Sequence, residues 1–258
     1  MKSNMIDNEV FQKVRKNINK LSDDNVAWSV PVSKETIEEV RNGKFEFLLT
    51  DNKVVPADWL PSPLTGVKVL CLAGAGGQQA PYLAAAGAEV TVFDLSEKML
   101  SKDEFVAKRD GLKLEIRQGN MCDLSVFEDE SFDVIVNPVS LMYVPDVSVV
   151  YRECYRVLKK NGVFISAVPN TLSYLCDYIE DGGYYKVCNK LPYRSSDYDG
   201  MGDWIEYGHT LESIIGGQIS CGFVIAGFFE DKDNNYPLSA YSDNYFVTRA
   251  LKVPGSQK

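Results

Sequence analysis

The sequence predicts an α/β protein whose mostly parallel sheet is covered by helices on both faces. Short apolar runs at 67–72, 90–93, 132–136 and 163–168 have the length and composition of buried strands, and stretches with a helical apolar stripe separate them. The first run leads through a glycine-containing turn into a helix and then into a second strand that stops at Asp94. This order of strand, turn, helix, strand and acid is typical of one half of a nucleotide-binding sheet.

The turn after the first strand has the features of a ligand-binding loop. It contains Gly74, Gly76 and Gly77, and glycines let a backbone approach a ligand closely. The helix that follows offers unpaired N–H groups at its positive end. Asp94 lies about 20 residues beyond Gly74, the spacing at which an acid accepts both hydroxyls of a ribose. An ordinary strand–turn–helix connection followed by an unrelated acid is the alternative.

The turn departs from the pattern of dinucleotide-binding proteins. Their fingerprint is G-x-G-x-x-G/A, and from Gly74 and Gly76 its last position falls on Gln79. A bulky amide at this position opposes the close packing of helix on strand that the third glycine permits. The pattern therefore disfavours a nicotinamide-dependent oxidoreductase.

The stretch VKVLCLAGAGGQQAPYLAAAGAEVTVFDLSEKML resembles the first motif of the class I S-adenosylmethionine-dependent methyltransferases, VLDLGxGxG…LA…GAxVxGVDxS. In this alignment the three family glycines fall on Ala73, Ala75 and Gly77, and the acid that usually precedes them falls on Cys71. Asp94 corresponds to the family's ribose-binding acid. The resemblance implies S-adenosyl-L-methionine as the cofactor, bound at a variant of the family's turn.

The resemblance also implies which residues contact this cofactor. The family segment GDA, whose acid accepts from the adenine amino group, corresponds to Gly119-Asn120-Met121, with Asp123 as a second candidate acceptor. Pro138 follows the fourth strand and fixes the loop at the edge of the sheet where ligands bind. The expected cofactor-binding residues are Ala73, Gly74, Ala75, Gly77, Gln79, Asp94, Leu95, Asn120, Met121, Cys122 and Pro138.

Two later segments extend the resemblance. An apolar stripe over 147–158 predicts a helix with Arg156, Lys159 and Lys160 in its last turn and a stop at Asn161 and Gly162. The phrase YRECYRVLKKNGVFISAVPN resembles the family's RVLKPGG helix–turn–strand segment. HTLESIIGGQISCGFVIAGFFED and YFVTRALK resemble the RTLxDxxxxLxxAGF segment and the final strand pair. The resemblance therefore implies a doubly wound, Rossmann-like sheet of seven strands, mostly parallel, with an antiparallel last strand.

The chain divides into a cap and a main domain. Residues 1–64 are expected to form an N-terminal helical cap and 65–258 the methyltransferase-like domain. Trp28 and Trp59 either pin the cap to the core or belong to a cap that covers the cofactor. Residues 169–208, here called the aromatic segment, interleave tyrosines with acids. This composition favours a lid that faces a cationic or amine-bearing molecule, and a hydrated surface loop is the alternative.

Composition limits the partners and the compartment. The net charge of −9 disfavours nucleic acid, whose binding depends on Lys and Arg. The N-terminal stretch MKSNMIDNEVFQKVRKNINK has no continuous apolar core, and no run approaches the roughly 18 apolar residues of a membrane span. We therefore expect neither a signal peptide nor a membrane partner. Six scattered cysteines without a CxxC pair indicate a reducing cytoplasm and no metal site. A homodimer is the candidate assembly.

Two residues are candidates for contact with the acceptor of the methyl group. His209, the only histidine, is a candidate general base or hydrogen-bond partner, and Tyr143 is a candidate neighbour of the transferred methyl group. A structural role is the alternative for both. We predict an S-adenosylmethionine-dependent methyltransferase that transfers a methyl group in line to a small-molecule acceptor. The open alternatives are a non-catalytic cofactor-binding protein, suggested by Cys71, Ala73 and Asn120, and a nicotinamide-dependent oxidoreductase.

Overall fold

The computed structural model describes residues 3–195, 204–234 and 236–255, with side chains from Glu9 onward. The α-helices are α1 (Ser3–Asp23), α2 (Lys34–Arg41), α3 (Gln79–Ala85), α4 (Glu97–Asp110), α5 (Val147–Val157), α6 (Leu172–Leu175) and α7 (Gly217–Ser220). The strands are β1 (Lys68–Leu72), β2 (Glu89–Asp94), β3 (Leu114–Gln118), β4 (Phe132–Asn137), β5 (Leu158–Pro169), β6 (Cys176–Ile179), β7 (Tyr184–Val187), β8 (Tyr193–Arg194), β9 (Tyr207–Gly208), β10 (Val224–Asp231) and β11 (Tyr245–Leu251).

Seven strands form one sheet in the order β10–β11–β5–β4–β1–β2–β3. Strands β5, β4, β1, β2 and β3 are parallel to one another, whereas β11 runs antiparallel to both β5 and β10. This confirms the predicted fold, including the antiparallel last strand. The central strands β1 and β4 are almost wholly buried, which explains why their sequences are continuous apolar runs.

Helices cover both faces of the sheet, and a separate cluster of buried apolar side chains lies on each face. Trp59 belongs to one cluster and Tyr151 to the other. Local side-chain hydrogen bonds support the starts of helical segments. The side chains of Ser33, Ser96 and Thr210 each accept a hydrogen bond from the backbone N–H three residues later, at 3.0–3.1 Å.

The boundary between α5 and β5 differs from the prediction. The strand starts at Leu158, so Lys159 and Lys160 belong to β5 and not to the last turn of a helix, and the predicted stop at 161–162 lies inside the strand. Leu158 pairs with Phe132 across β4 and β5. The Lys159 ammonium lies 2.9 Å from a carboxylate of β4. Strand pairing therefore outweighs the helical propensity of the two lysines.

The N-terminal segment packs against the main sheet through α1 and Trp59. Ser96 Oγ donates to Asn19 Oδ1 at 2.6 Å, and Asn19 Nδ2 donates to Glu97 Oε1 at 2.9 Å, so α1 is joined to the start of α4. Trp59 is buried against an aromatic ring of β10, with ring centroids 5.4 Å apart. Trp28 is 48% exposed. Of the two tryptophans, Trp59 pins the segment to the core and Trp28 does not.

The aromatic segment has a surface part and an inward part. β6 and β7 form a hairpin whose residues Tyr178 and Tyr184 are exposed. Tyr174 and Glu206 instead line the cavity described below. Residues 196–203 of this segment lie outside the described part of the chain.

Within the described ranges, no helix is both long and apolar enough to cross a membrane. The same residues contain no group of three or more His, Cys, Asp or Glu side chains placed to hold a metal ion.

Candidate active site

A cavity of about 900 Å³ lies at the carboxyl edge of the parallel strands. Its walls include the turn after β1, the end of β2, the residues that follow β3 and the loop that follows β4. Phe11, Val14 and Ile18 of α1 form another wall. Open α/β sheets bind their ligands at this edge, so the cavity is the candidate active site.

Close contacts shape the glycine turn. Gly76 and Gly77 have φ values of +134° and +77°, which glycine adopts without strain. A Cβ at Gly74 would lie 3.0 Å from the ring of Pro138, a predicted residue that lines the cavity. A Cβ at Gly77 would lie 3.0 Å from Pro31, and Gly77 does not line the cavity. Gly77 therefore allows the turn to pack against the N-terminal segment.

Four of the predicted turn residues do face the cavity. Ala73, Gly74, Ala75 and Gln79 line it, as does Gln78, which the sequence analysis does not identify. The Gln78 amide donates to a carbonyl of the N-terminal segment at 2.9 Å. The turn and this segment therefore meet at the cavity wall.

Asp94 ends β2 beside the turn and is 9% exposed. Its Oδ2 accepts from the Ala75 N–H at 3.2 Å, and its Oδ1 accepts from the Ser96 N–H at 2.8 Å. The Leu95 backbone is a further neighbour of the carboxylate, which has about four lone-pair positions and so can still accept from a ligand. Burial raises the pKa of Asp94 to about 6, and the backbone hydrogen bonds limit this rise. Leu95, the next residue, also lines the cavity.

A second carboxyl group, Asp103 of α4, lies beneath the turn. It is fully buried, and its Oδ2 accepts from the Gly76 N–H at 2.8 Å, whereas its Oδ1 has no hydrogen-bond partner among the described residues. Burial raises the pKa of Asp103 to about 7. Asp103 is not among the residues predicted from the sequence. It falls on the same buried stripe of α4 as Met99 and Val106, and an acid on such an apolar stripe could have indicated it.

The residues after β3 form the next wall. Asn120 and Met121 line the cavity, whereas Cys122 does not. Asn120 Oδ1 accepts from the Cys122 N–H at 2.9 Å, which leaves one lone pair for a ligand. Asp123 accepts from a backbone N–H at 3.0 Å and is not a lining residue. Of the two candidate adenine acceptors, only Asn120 therefore reaches the cavity.

Tyr143 and His209 are the two residues predicted to contact the acceptor of the methyl group, and of these only Tyr143 lines the cavity. Its ring packs edge-on against Trp204, with centroids 6.4 Å apart. Burial raises the pKa of Tyr143 well above its ordinary value of 10, so its hydroxyl stays neutral at physiological pH. The His209 Nε2–H donates to the Leu141 carbonyl at 3.1 Å, and His209 is not a lining residue. The structure thus gives His209 a contact within the fold.

Glu206 lines the cavity beside these aromatic rings. Tyr174 and Trp204 are polar neighbours of its carboxylate. Burial raises the pKa of Glu206 above its ordinary 4.5, and these two neighbours limit the rise. From the sequence, Glu206 could be recognised only as one of the acids of the aromatic segment, because its approach to Tyr174 depends on tertiary structure.

The charged side chains around the cavity all have one sign. Its lining carboxylates are Glu46, Asp51, Asp94, Glu206 and Asp233. Among the described lining residues there is no Lys, Arg or His. An anionic group would find no basic partner in this cavity, whereas cationic and neutral groups are favoured.

Comparisons with known proteins identify relatives of this chain. A model described as a methyltransferase domain matches residues 70–166. The chain is 46% identical over 236 residues to the uncharacterized methyltransferase YbaJ of Bacillus subtilis, and the match covers 88% of this chain and 92% of that protein. It is 32% identical over 179 residues to the ubiquinone biosynthesis O-methyltransferase of Pseudomonas syringae pv. tomato, covering 65% of this chain and 76% of the relative.

Solved structures agree on the fold. A methyltransferase from Mesorhizobium loti, named as dependent on S-adenosylmethionine, superposes with a TM-score of 0.61 at 19% identity, covering 75% of this chain and 94% of that one. A second such protein, from Methanosarcina mazei, superposes with a TM-score of 0.58 at 20% identity, covering 78% of this chain and 98% of that one. The relatives favour the methyltransferase prediction over the nicotinamide-dependent alternative.

The cavity also has suitable chemistry for this cofactor. Gly74 presents only backbone at the wall, the Asp94 carboxylate has lone pairs that suit ribose hydroxyls, and Leu95 and Met121 offer apolar surface to a base. By this fit and by its relatives, the chain belongs to the class I S-adenosylmethionine-dependent methyltransferases, and its cofactor is S-adenosylmethionine.

Proposed function

We propose that this methyltransferase acts on a small-molecule acceptor that occupies the same cavity as the cofactor. The observation that carries the proposal is the continuity of the cavity, since one space of about 900 Å³ reaches from the glycine turn and Asp94 to Tyr143, Tyr174 and Glu206. A concave space of this size suits a small acceptor better than a polymer.

In this proposal the cofactor and the acceptor bind to different walls. Asp94 accepts hydrogen bonds from the ribose, the turn from Ala73 to Ala75 holds the amino-acid tail, and Asn120 and Met121 contact adenine. When bound, S-adenosylmethionine supplies an electrophilic methyl group. The chain's own part is to hold the acceptor in line with that group, because positioning alone removes much of a reaction barrier.

The remaining walls exclude water and set the protonation of the site. Phe11, Val14 and Ile18 of α1 are apolar and lie along the cavity. Tyr143 keeps its proton at physiological pH, so it can donate a hydrogen bond to the acceptor but cannot act as a base. His209 has no part in the proposed mechanism.

The partners and compartment follow the same lines. The net charge of −9 and the lack of basic side chains among the described lining residues oppose a nucleic-acid acceptor. The six cysteines all lie within the described residues and form no disulfide bond there, which supports a reducing compartment such as the cytoplasm. A homodimer stays a prediction that light scattering of the purified protein would decide.

The proposal is tested by following formation of S-adenosylhomocysteine. Purified protein is incubated with S-adenosylmethionine and either a low-molecular-weight cell filtrate or the retained macromolecular fraction. We expect turnover with the filtrate only, and loss of that turnover in the Asp94→Asn variant. Turnover with the macromolecular fraction alone, or with neither fraction, would contradict the proposal.

A further inference from the structure

The acceptor end of the cavity holds a carboxylate in a fixed position. Glu206 immediately precedes β9, which pairs with β8. The fully buried Ser195 accepts the Glu206 N–H with its Oγ at 2.8 Å, and its own N–H donates to the Glu206 carbonyl at 2.9 Å. Ser195 Oγ also donates to the Trp204 carbonyl at 2.7 Å. Ser195 therefore holds the backbone of the segment from Trp204 to Glu206 through three hydrogen bonds.

Aromatic side chains surround the carboxylate. Tyr174 and Trp204 are its polar neighbours, and the Trp204 ring packs edge-on against Tyr143 with centroids 6.4 Å apart. Gly208 allows Tyr174 to approach, because a Cβ at Gly208 would lie 2.5 Å from the Tyr174 Cβ. A carboxylate has about four lone-pair positions, so Glu206 can accept hydrogen bonds from a ligand.

No positive charge on the cavity wall balances this group. The described lining residues include carboxylates at five positions and no Lys, Arg or His. A carboxylate that is withdrawn from solvent without a cation is costly. A cationic ligand would relieve that cost, and aromatic faces stabilise such a ligand further.

We propose that the acceptor of this methyltransferase is an amine-bearing small molecule whose protonated nitrogen binds the Glu206 carboxylate beside the rings of Tyr143, Tyr174 and Trp204. The inference rests on the proposed function, since it assigns the acceptor class of the same cavity. Glu206 recognises the charge of the acceptor, and Ser195 acts as a positioning residue that holds Glu206 in place.

The test compares amines with alcohols of equal size. Benzylamine, phenethylamine and cyclohexylmethylamine are titrated by calorimetry at pH 7.5 into protein saturated with S-adenosylhomocysteine, against benzyl alcohol, 2-phenylethanol and cyclohexylmethanol. We expect at least one amine to bind about tenfold or more tightly than its alcohol, because a hydrogen bond between charged groups is involved. This preference should disappear in Glu206→Gln.

Glu46→Gln is the matched control. Glu46 lines the same cavity but is exposed, and its carboxylate lies 3.5 Å from the Lys44 ammonium. The amine preference should persist in this variant. The affinity of each variant for S-adenosylhomocysteine alone shows that it is folded and tests cofactor binding independently of the acceptor.

Three results would overturn the inference: no amine preferred over its alcohol, a preference that survives in Glu206→Gln, or a loss of cofactor affinity in Glu206→Gln equal to the loss of amine affinity. The last result would assign Glu206 to the cofactor's own ammonium. None of them would contradict methyl transfer to a small molecule, which the turnover assay tests separately.

Discussion

Replacement of Asp103 by asparagine should flatten the pH dependence of stability in the ligand-free protein. Asp103 is fully buried, and burial raises its pKa from the ordinary 3.8 to about 7. At pH values between these two pKa values, Asp103 keeps its proton in the folded protein but has released it in the unfolded chain. Stability from this group is therefore fully present below pH 3.8 and is lost as the pH rises through about 7.

The size of the effect follows from the two pKa values. Each pH unit within the window removes about 1.4 kcal/mol. Between pH 5 and pH 7, Asp103 should lower the free energy of unfolding by about 2 kcal/mol. Asp94, whose pKa of about 6 is also raised by burial, should add about 1 kcal/mol in the same direction.

The measurement is urea unfolding followed by tryptophan fluorescence, at pH 5, 6, 7 and 8. Between pH 5 and pH 7, the free energy of unfolding of Asp103→Asn should fall by about 2 kcal/mol less than that of the wild type. Glu104→Gln is the control, because Glu104 is exposed on the same helix and pairs with Lys108 at 2.7 Å. Parallel profiles for Asp103→Asn and the wild type would refute the reasoning.

Three further predictions concern the cofactor site, the acceptor site and the turn. Asp94→Asn should weaken S-adenosylhomocysteine binding about tenfold or more in calorimetry, because it removes a charged acceptor of hydrogen bonds; unchanged affinity would remove Asp94 from the site. Ser195→Ala should raise the KM for the acceptor while the KM for S-adenosylmethionine stays constant, since Ser195 positions Glu206; equal changes in both constants would indicate a general structural role. Gly77→Ala should lower the free energy of unfolding by about 2 kcal/mol or more, because it combines positive φ with crowding. Gly43→Ala, with positive φ in open space, should cost only about 1 kcal/mol, and equal losses would refute the crowding argument.

The fold could be predicted because its determinants are local. The central strands are buried on both faces, so their apolar runs are continuous, and the caps at Ser33, Ser96 and Thr210 use hydrogen bonds within one turn. The predicted end of α5 was wrong because the start of β5 at Leu158 is not determined locally. It depends on pairing with Phe132, a contact between distant parts of the chain that helical propensity does not register.

The candidate site also contains residues that local sequence identifies and residues that only tertiary contacts bring together. Asp94 and Asn120 could be chosen because each follows a strand, and parallel strands bring their carboxyl ends to one edge. Glu206 could not be chosen in this way, since it reaches the cavity through a two-residue strand pair and the approach of Tyr174. His209 shows the opposite error, in which a chemically suitable residue lies outside the cavity.

The charge of the cavity also bears on how the cofactor is held and released. S-adenosylmethionine carries a sulfonium, an ammonium and a carboxylate, so its net charge is positive, whereas the thioether left after transfer has no net charge. Lining carboxylates at five positions therefore favour the cofactor over its product. Since no Lys, Arg or His lies among the described lining residues, the cofactor's own carboxylate depends on neutral donors, and the Gly74 backbone N–H lies at that wall. The electrostatics that select a cationic acceptor thus also promote release of the spent cofactor.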